Sequence, residues 1–172
     1  RRPTKRQKDA VDLARIAECD WVVEVIKEDV KLKNALFAKL EPLVGPQCIV
    51  SSNTSGMNIA KMTEGRSAAF KARFLVTHFF NPVRYMKLLE LVAGERSGER
   101  ALAIARATGE AMGRTVIDAA DSPGFVVNRC NRPYNLEALR LVQERLATVE
   151  QVDRILRLGG GFGRCGRRSR KK

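Results

Sequence analysis

The residue pattern predicts an α/β chain, with a mostly parallel sheet carrying helices on its faces, followed by an all-helical segment. Three observations carry this expectation. Short apolar runs alternate with stretches of helical periodicity as far as Asp118. From Ser122 to residue 158 the signals are helical only. The 172 residues, 44% hydrophobic and 30% charged, are enough to bury a core and have an ordinary globular composition, which argues against disorder, collagen and disulfide scaffolds.

Trp21-Val22-Val23-Glu24-Val25-Ile26 reads as a buried strand. Residues 29–44 place Leu32, Leu36, Phe37, Leu40 and Leu43 at helical spacing, and Gly45-Pro46 ends that helix. Cys48 to Ser52 is a second strand, Asn53 to Gly56 a turn, and residues 57–64 a short helix. Phe74 to Phe80 is a third strand, halted by Asn81-Pro82, and Lys87 to Val92 a fourth. Residues 97–112 are amphipathic, and Thr115 to Asp118 is a fifth strand. Ser122 with Pro123 behind it reads as a helix N-cap with proline at the first helical position. Leu136, Leu139, Val142 and Leu146 share one helical face in the segment after that cap, and Thr148 with Gln151 spells a capping box for a last helix. A domain boundary is expected near residue 121.

The formal charge of +13 is uneven. Residues 1–10 carry a net +4 and residues 164–172 a net +6, which leaves +3 for the body. The tails lack the aromatics a single-strand binder stacks on bases, so nucleic acid is not an expected partner. No apolar run approaches the roughly 20 residues of a membrane-spanning helix, and no secretory signal follows the basic start, so a soluble, cytoplasmic protein is expected. Cys19, Cys48, Cys130 and Cys165 lie far apart with no C-x-x-C pair, and the single histidine, His78, has no cysteine nearby. Reduced packing cysteines, rather than a zinc site, fit that spacing.

In an open parallel sheet ligands bind at the carboxyl ends of the strands. Ser51-Ser52-Asn53-Thr54-Ser55 and His78-Phe79-Phe80-Asn81-Pro82 both fall at such ends. Glu90 lies 12 residues after His78, on the next strand, and a turn through Pro82 can bring its carboxylate back to the imidazole. A histidine whose tautomer is fixed by a carboxylate is a general acid and base. A core histidine packed beside two phenylalanines is the alternative that spacing leaves open.

Four segments carry a resemblance: V-V-E-V-I-K-E-D-V-K-L-K-N-A-L-F, S-S-N-T-S, H-F-F-N-P-V-x-x-M-K-L-L-E and D-S-P-G-F-V-V-N-R. In this order and spacing, from about residue 12 to residue 162, the chain resembles the L-3-hydroxyacyl-CoA dehydrogenases, a family that includes the 3-hydroxybutyryl-CoA dehydrogenases. The resemblance implies NAD-dependent oxidation of the 3-hydroxyl of an acyl-CoA, or the reverse reduction. It implies His78 as catalytic base, Glu90 as its partner, Ser55 beside substrate and nicotinamide, and Asn128 at the reacting region. It places Asn81 at the nicotinamide and Glu28 and Lys33 near the cofactor, with Lys33 also attracting the CoA. It implies an incomplete Rossmann-like parallel sheet over residues 1–120, the start of a truncated all-α dimerisation domain over 121–163, and a basic tail over 164–172. A homodimer goes with it, as does a place in fatty acid metabolism through β-oxidation, with butanoate metabolism and aromatic degradation left open beside it.

Two departures from that family pattern set further expectations. The family opens with a strand, a Gly-rich turn and a helix whose N-terminus holds the pyrophosphate, and this chain begins Arg1-Arg2-Pro3 only some 20 residues before its first clear strand. After Gly159-Gly160-Gly161-Phe162 it turns to Gly163-Arg164-Cys165-Gly166-Arg167-Arg168. A fragment or a reading-frame error is therefore expected, with a non-catalytic remnant unable to bind NAD alone as the alternative to an active dehydrogenase. Residues 161–166 spell G-x-G-x-x-G, but they follow a helix and precede a basic tail, so they lack the strand and helix that a dinucleotide fingerprint needs.

Overall fold

The computed structural model describes residues 14–159. Both basic tails and the G-x-G-x-x-G stretch lie outside the described residues. Two compact units divide between Asn128 and Arg129.

The first unit holds one five-stranded sheet in the order β1 (Trp21–Glu24), β2 (Ile49–Ser52), β3 (Phe74–Phe79), β4 (Leu88–Ala93), β5 (Thr115–Ala119). β1, β2 and β3 run parallel, β4 runs antiparallel to β3, and β5 runs parallel to β4. With one antiparallel pairing among four, the sheet is mostly parallel, as the sequence predicts. The reversal at β4 follows from the short connection, since Phe80 to Lys87 is too few residues for a crossover helix.

Side chains alternate across the sheet, as the period of two requires. Val50, Phe74, Val76 and Val92 face a core shared with Phe37 and Leu40 of α1 (Val30–Leu40), Ile59 and Met62 of α2 (Ile59–Met62), and Phe70 of α3 (Ala68–Ala72). Phe74 meets Phe37 edge-on, with ring centroids 4.9 Å apart. Ile49, Leu75 and Leu91 face the other way, onto Ala101 and Ala105 of α4 (Glu99–Ala111). Gly109 lets α4 lie close to the sheet, because a Cβ there would stand 2.8 Å from Leu89 Cδ2.

Local chemistry sets the helix ends. Asp29 caps α1 by accepting the Leu32 N–H at 3.0 Å. α1 stops at Leu40 instead of residue 44, since Pro42 has no N–H to continue the ladder. β1 stops at Glu24, and Val25 and Ile26 are exposed. The helix expected to begin at Ser122-Pro123 begins at Val127, because Gly124 and Phe125 take left-handed φ values of 79° and 47°. α3 had no counterpart in the sequence reading.

The second unit contains the body of α5 (Val127–Gln143) and α6 (Val149–Leu158). The expected capping box forms: Thr148 Oγ1 accepts the Gln151 N–H at 3.3 Å, and Gln151 Oε1 accepts the Thr148 N–H at 2.8 Å. Leu139, Val142, Val149, Val152 and Leu156 line a groove of about 420 Å³ between these helices. Leu136, Leu139 and Leu146 are exposed, although their spacing marks a common apolar face. Among the described residues no helix is long and apolar enough to cross a membrane.

Candidate functional site

β3 and β4 pair in a register that puts His78 directly opposite Glu90. Opposed residues of an antiparallel pair point to the same face, so the two side chains meet. His78 Nδ1 lies 2.7 Å from Glu90 Oε2. The carboxylate is wholly buried, and its other oxygen, Oε1, accepts the backbone N–H groups of Val126 at 3.0 Å and Val127 at 2.9 Å. These are unpaired donors at the start of α5, where the helix favours negative charge. The left-handed turn through Gly124 and Phe125 aims them at Glu90, and the Phe125 ring packs 5.8 Å from the imidazole. The Phe80 ring lies 4.4 Å away. With Nδ1 committed to Glu90, Nε2 is the ring atom left for chemistry.

A second cluster forms at the carboxyl ends of β1 and β2. Lys33, on α1, is buried and places its ammonium 2.8 Å from both oxygens of Glu24 and 3.3 Å from Glu28 Oε2. Glu24 also accepts the Ser52 hydroxyl and the Ile26 N–H, each at 2.5 Å. Glu28 Oε1 takes the Thr54 hydroxyl and, at 3.2 Å, the Ser55 N–H. The Ser55 carbonyl accepts Asn128 Nδ2 at 3.2 Å. Asn53 Oδ1 accepts the Phe79 N–H at 2.8 Å, tying this turn to the end of β3. Gly56 packs against the 123–124 turn so closely that a Cβ would sit 2.5 Å from the Gly124 nitrogen.

Glu28, Lys33, Ser55 and Asn128 therefore share one hydrogen-bonded chain, and His78 and Glu90 share another. Asn81 is exposed, just past the end of β3. Lys33 departs from one expectation: its charge is buried and paired with two carboxylates, so it is no free attractor for CoA. The sequence reading missed Glu24, Thr54, Phe125 and the two α5 amides. For Glu24 a signal existed, an acid inside the apolar run Val22 to Ile26.

A family profile described as 3-hydroxyacyl-CoA dehydrogenase, NAD binding domain, matches residues 2–122. The chain belongs to the 3-hydroxyacyl-CoA dehydrogenase family. The C-terminal domain profile of the same family matches residues 124–166. A probable 3-hydroxyacyl-CoA dehydrogenase of Bacillus subtilis is 42% identical over 145 residues, 84% of this chain and 18% of that protein. A probable 3-hydroxybutyryl-CoA dehydrogenase of Deinococcus radiodurans is 38% identical over 148 residues, 86% of this chain and 52% of that one. The crystal structure of (S)-3-hydroxybutyryl-CoA dehydrogenase PaaH1 from Ralstonia eutropha superposes with a TM-score of 0.80 at 35% identity, covering 87% of this chain and 52% of that one. The chain thus spans about half the length of the Deinococcus relative and under a fifth of the Bacillus one.

The cofactor the family name implies can be tested against the residues present. Ser55 and Asn81 offer neutral hydrogen-bonding groups at the strand ends, and the exposed Val25 and Ile26 follow β1 directly. Neutral donors and acceptors at strand ends fit the carboxamide that the nicotinamide end of NAD presents.

Proposed function

We propose that the site performs NAD-dependent oxidation of an L-3-hydroxyacyl-CoA to the 3-oxoacyl-CoA, or the reverse reduction. The observation that carries this reading is the 2.7 Å contact of His78 Nδ1 with a Glu90 carboxylate that two helix amides hold in place. Nδ1–H donates to Glu90, so Nε2 presents its lone pair and takes the proton of the 3-hydroxyl. In the reverse direction Nε2–H returns the proton to the 3-oxo oxygen. The Glu90 carboxylate, 2.7 Å from Nδ1, faces the imidazolium that forms. Ser55 and Asn128, joined by the Asn128 Nδ2 hydrogen bond to the Ser55 carbonyl, would orient the reacting oxygen. Ser55 and Asn81 would hold the nicotinamide end of NAD, with Glu28 and Lys33 fixing the turn beside it. Bound NAD supplies the hydride acceptor.

The test is a mixture of the chain with acetoacetyl-CoA and NADH, followed by NADH absorbance. Turnover is expected, and His78→Gln should lower it by about 10²-fold or more while the far-ultraviolet spectrum stays unchanged. A folded chain that consumes no NADH, or a His78→Gln chain as active as its parent, overturns the proposal.

The same resemblance leads us to infer a homodimer through the helical segment, whose exposed Leu136 and Leu139 give a second copy apolar surface to cover. Light scattering that returns one chain mass at about 50 μM, well above a micromolar dissociation constant, would exclude it.

A further inference from the structure

We propose that Glu24 is a positioning residue of this site, acting on the Ser55 turn through Lys33 and Glu28. It deepens the dehydrogenase reading and rests on it for the importance of Ser55. The buried ammonium of Lys33 has two carboxylates within reach. Glu24 takes both close contacts, at 2.8 Å each, and leaves Glu28 Oε2 at 3.3 Å. Because Lys33 is satisfied from the buried side, Glu28 can turn its other oxygen to the Thr54 hydroxyl and the Ser55 N–H. The Thr54 oxygen in turn accepts the Met57 N–H at 3.0 Å, so this carboxylate holds the Thr54–Ser55 part of the turn, while Asn53 and the Ser55 carbonyl are tied elsewhere.

Without the charge on Glu24, Lys33 keeps a single counter-ion among the described residues. A buried ammonium short of a partner draws in any carboxylate that can move. The Glu28 side chain is half exposed and free to do so, whereas Glu24 is fully enclosed. Glu28 would then swing onto Lys33 and release Thr54 and Ser55. The turn that presents the Ser55 hydroxyl would loosen although no group in it had changed.

Amide hydrogen exchange at Ser55 reads this directly and needs neither cofactor nor turnover. In Glu24→Gln the Ser55 amide should exchange about tenfold faster than in the parent chain. In Glu24→Gln combined with Lys33→Met, no ammonium competes for Glu28, and exchange should return to within about twofold of the parent. Unchanged exchange in the single variant, or equally fast exchange in both, overturns the proposal. If the single variant does not fold, the double variant is compared with Glu28→Gln. Protection in the first and loss in the second is the expected result, and equal loss in both overturns it. Where the chain turns over, Glu24→Gln should raise the KM for NADH about tenfold with kcat lowered less than threefold. A parent chain without turnover would defeat the dehydrogenase reading and leave the exchange result standing.

Discussion

Glu24 and Glu90 are both fully buried carboxylates, each against a basic side chain at 2.7 to 2.8 Å, and they are used differently. Among the described residues the Lys33 ammonium is surrounded by protein acceptors: two oxygens of Glu24, one of Glu28 and the Ile26 carbonyl. Around His78 one ring nitrogen alone is taken among the described residues, and the anchors of its partner are backbone amides that bring no second base. The first arrangement fixes geometry, and the second keeps one atom available. A buried ion pair is therefore weak evidence of chemistry by itself. What separates the two is whether the basic group retains an uncommitted lone pair.

That contrast can be broken experimentally. The largest effect is expected on the Lys33 side, as a loss of stability. Lys33→Met strands the Glu24 carboxylate in the core and should cost about 3–5 kcal/mol, read from urea midpoints. A loss below about 1 kcal/mol would mean that water reaches Glu24. The Glu90 side should respond in rate. A glutamine there can give its one oxygen to the Val126 and Val127 amides, which turns its NH₂ toward Nδ1 and forces the proton onto Nε2. Glu90→Gln should thus lower kcat by about 10²-fold with far less loss of stability. Equal kcat in the two proteins would remove Glu90 from the mechanism.

A change between the clusters sharpens the comparison. Gly56→Ala drives a methyl group into the Gly124 backbone, 2.5 Å away, and that backbone cannot give as a side chain would. It should cost about 1–3 kcal/mol and lower activity by moving Ser55 away from the turn that anchors Glu90, measured by urea midpoints alongside NADH turnover. The smallest effect belongs to a third carboxylate, Glu41, which is only partly buried. Its pKa is held below 4.5 chiefly by a side-chain hydrogen bond with Ser67, against partial burial, with help from the Ser67 N–H at 2.8 Å and Arg66 at 3.1 Å. The folded pKa lies under the unfolded one, so this stabilisation is complete above about pH 4.5 and fades as pH falls through the folded value. Glu41→Gln should flatten the acid limb of stability by less than about 1 kcal/mol, measured by urea titration at stepped pH.

Much of this was legible in the sequence because it depends on short-range pattern. The 12-residue separation of His78 and Glu90 spans a loop too short for a crossover, so a hairpin returns one to the other. The alternation of Val50 with Ile49, and of Phe74 and Val76 with Leu75, marks two buried faces. The features that escaped depend on contacts or backbone angles that no local pattern encodes. Ser122-Pro123 has the composition of a helix start, yet the positive φ of Gly124 and Phe125 delays the helix to Val127. α3 is five residues long, too short to show a period. Lys33 shares the helical face of Phe37 and Leu40, so its spacing points inward, but only the tertiary placement of Glu24 makes a buried ammonium tolerable there. Leu136 and Leu139 were readable as an apolar face, but periodicity does not state what covers such a face.

The pairing of β3 with β4 has one more consequence. Sliding the hairpin by a single residue would rotate Glu90 to the opposite side of the sheet, among Leu75, Leu91 and Ala105, and would leave the imidazole facing a leucine. A misaligned chain would thus bury an orphan charge in hydrocarbon. The acid proposed for the reaction would also proofread the alignment of the strands during folding, and errors of assembly are penalised beside the candidate site.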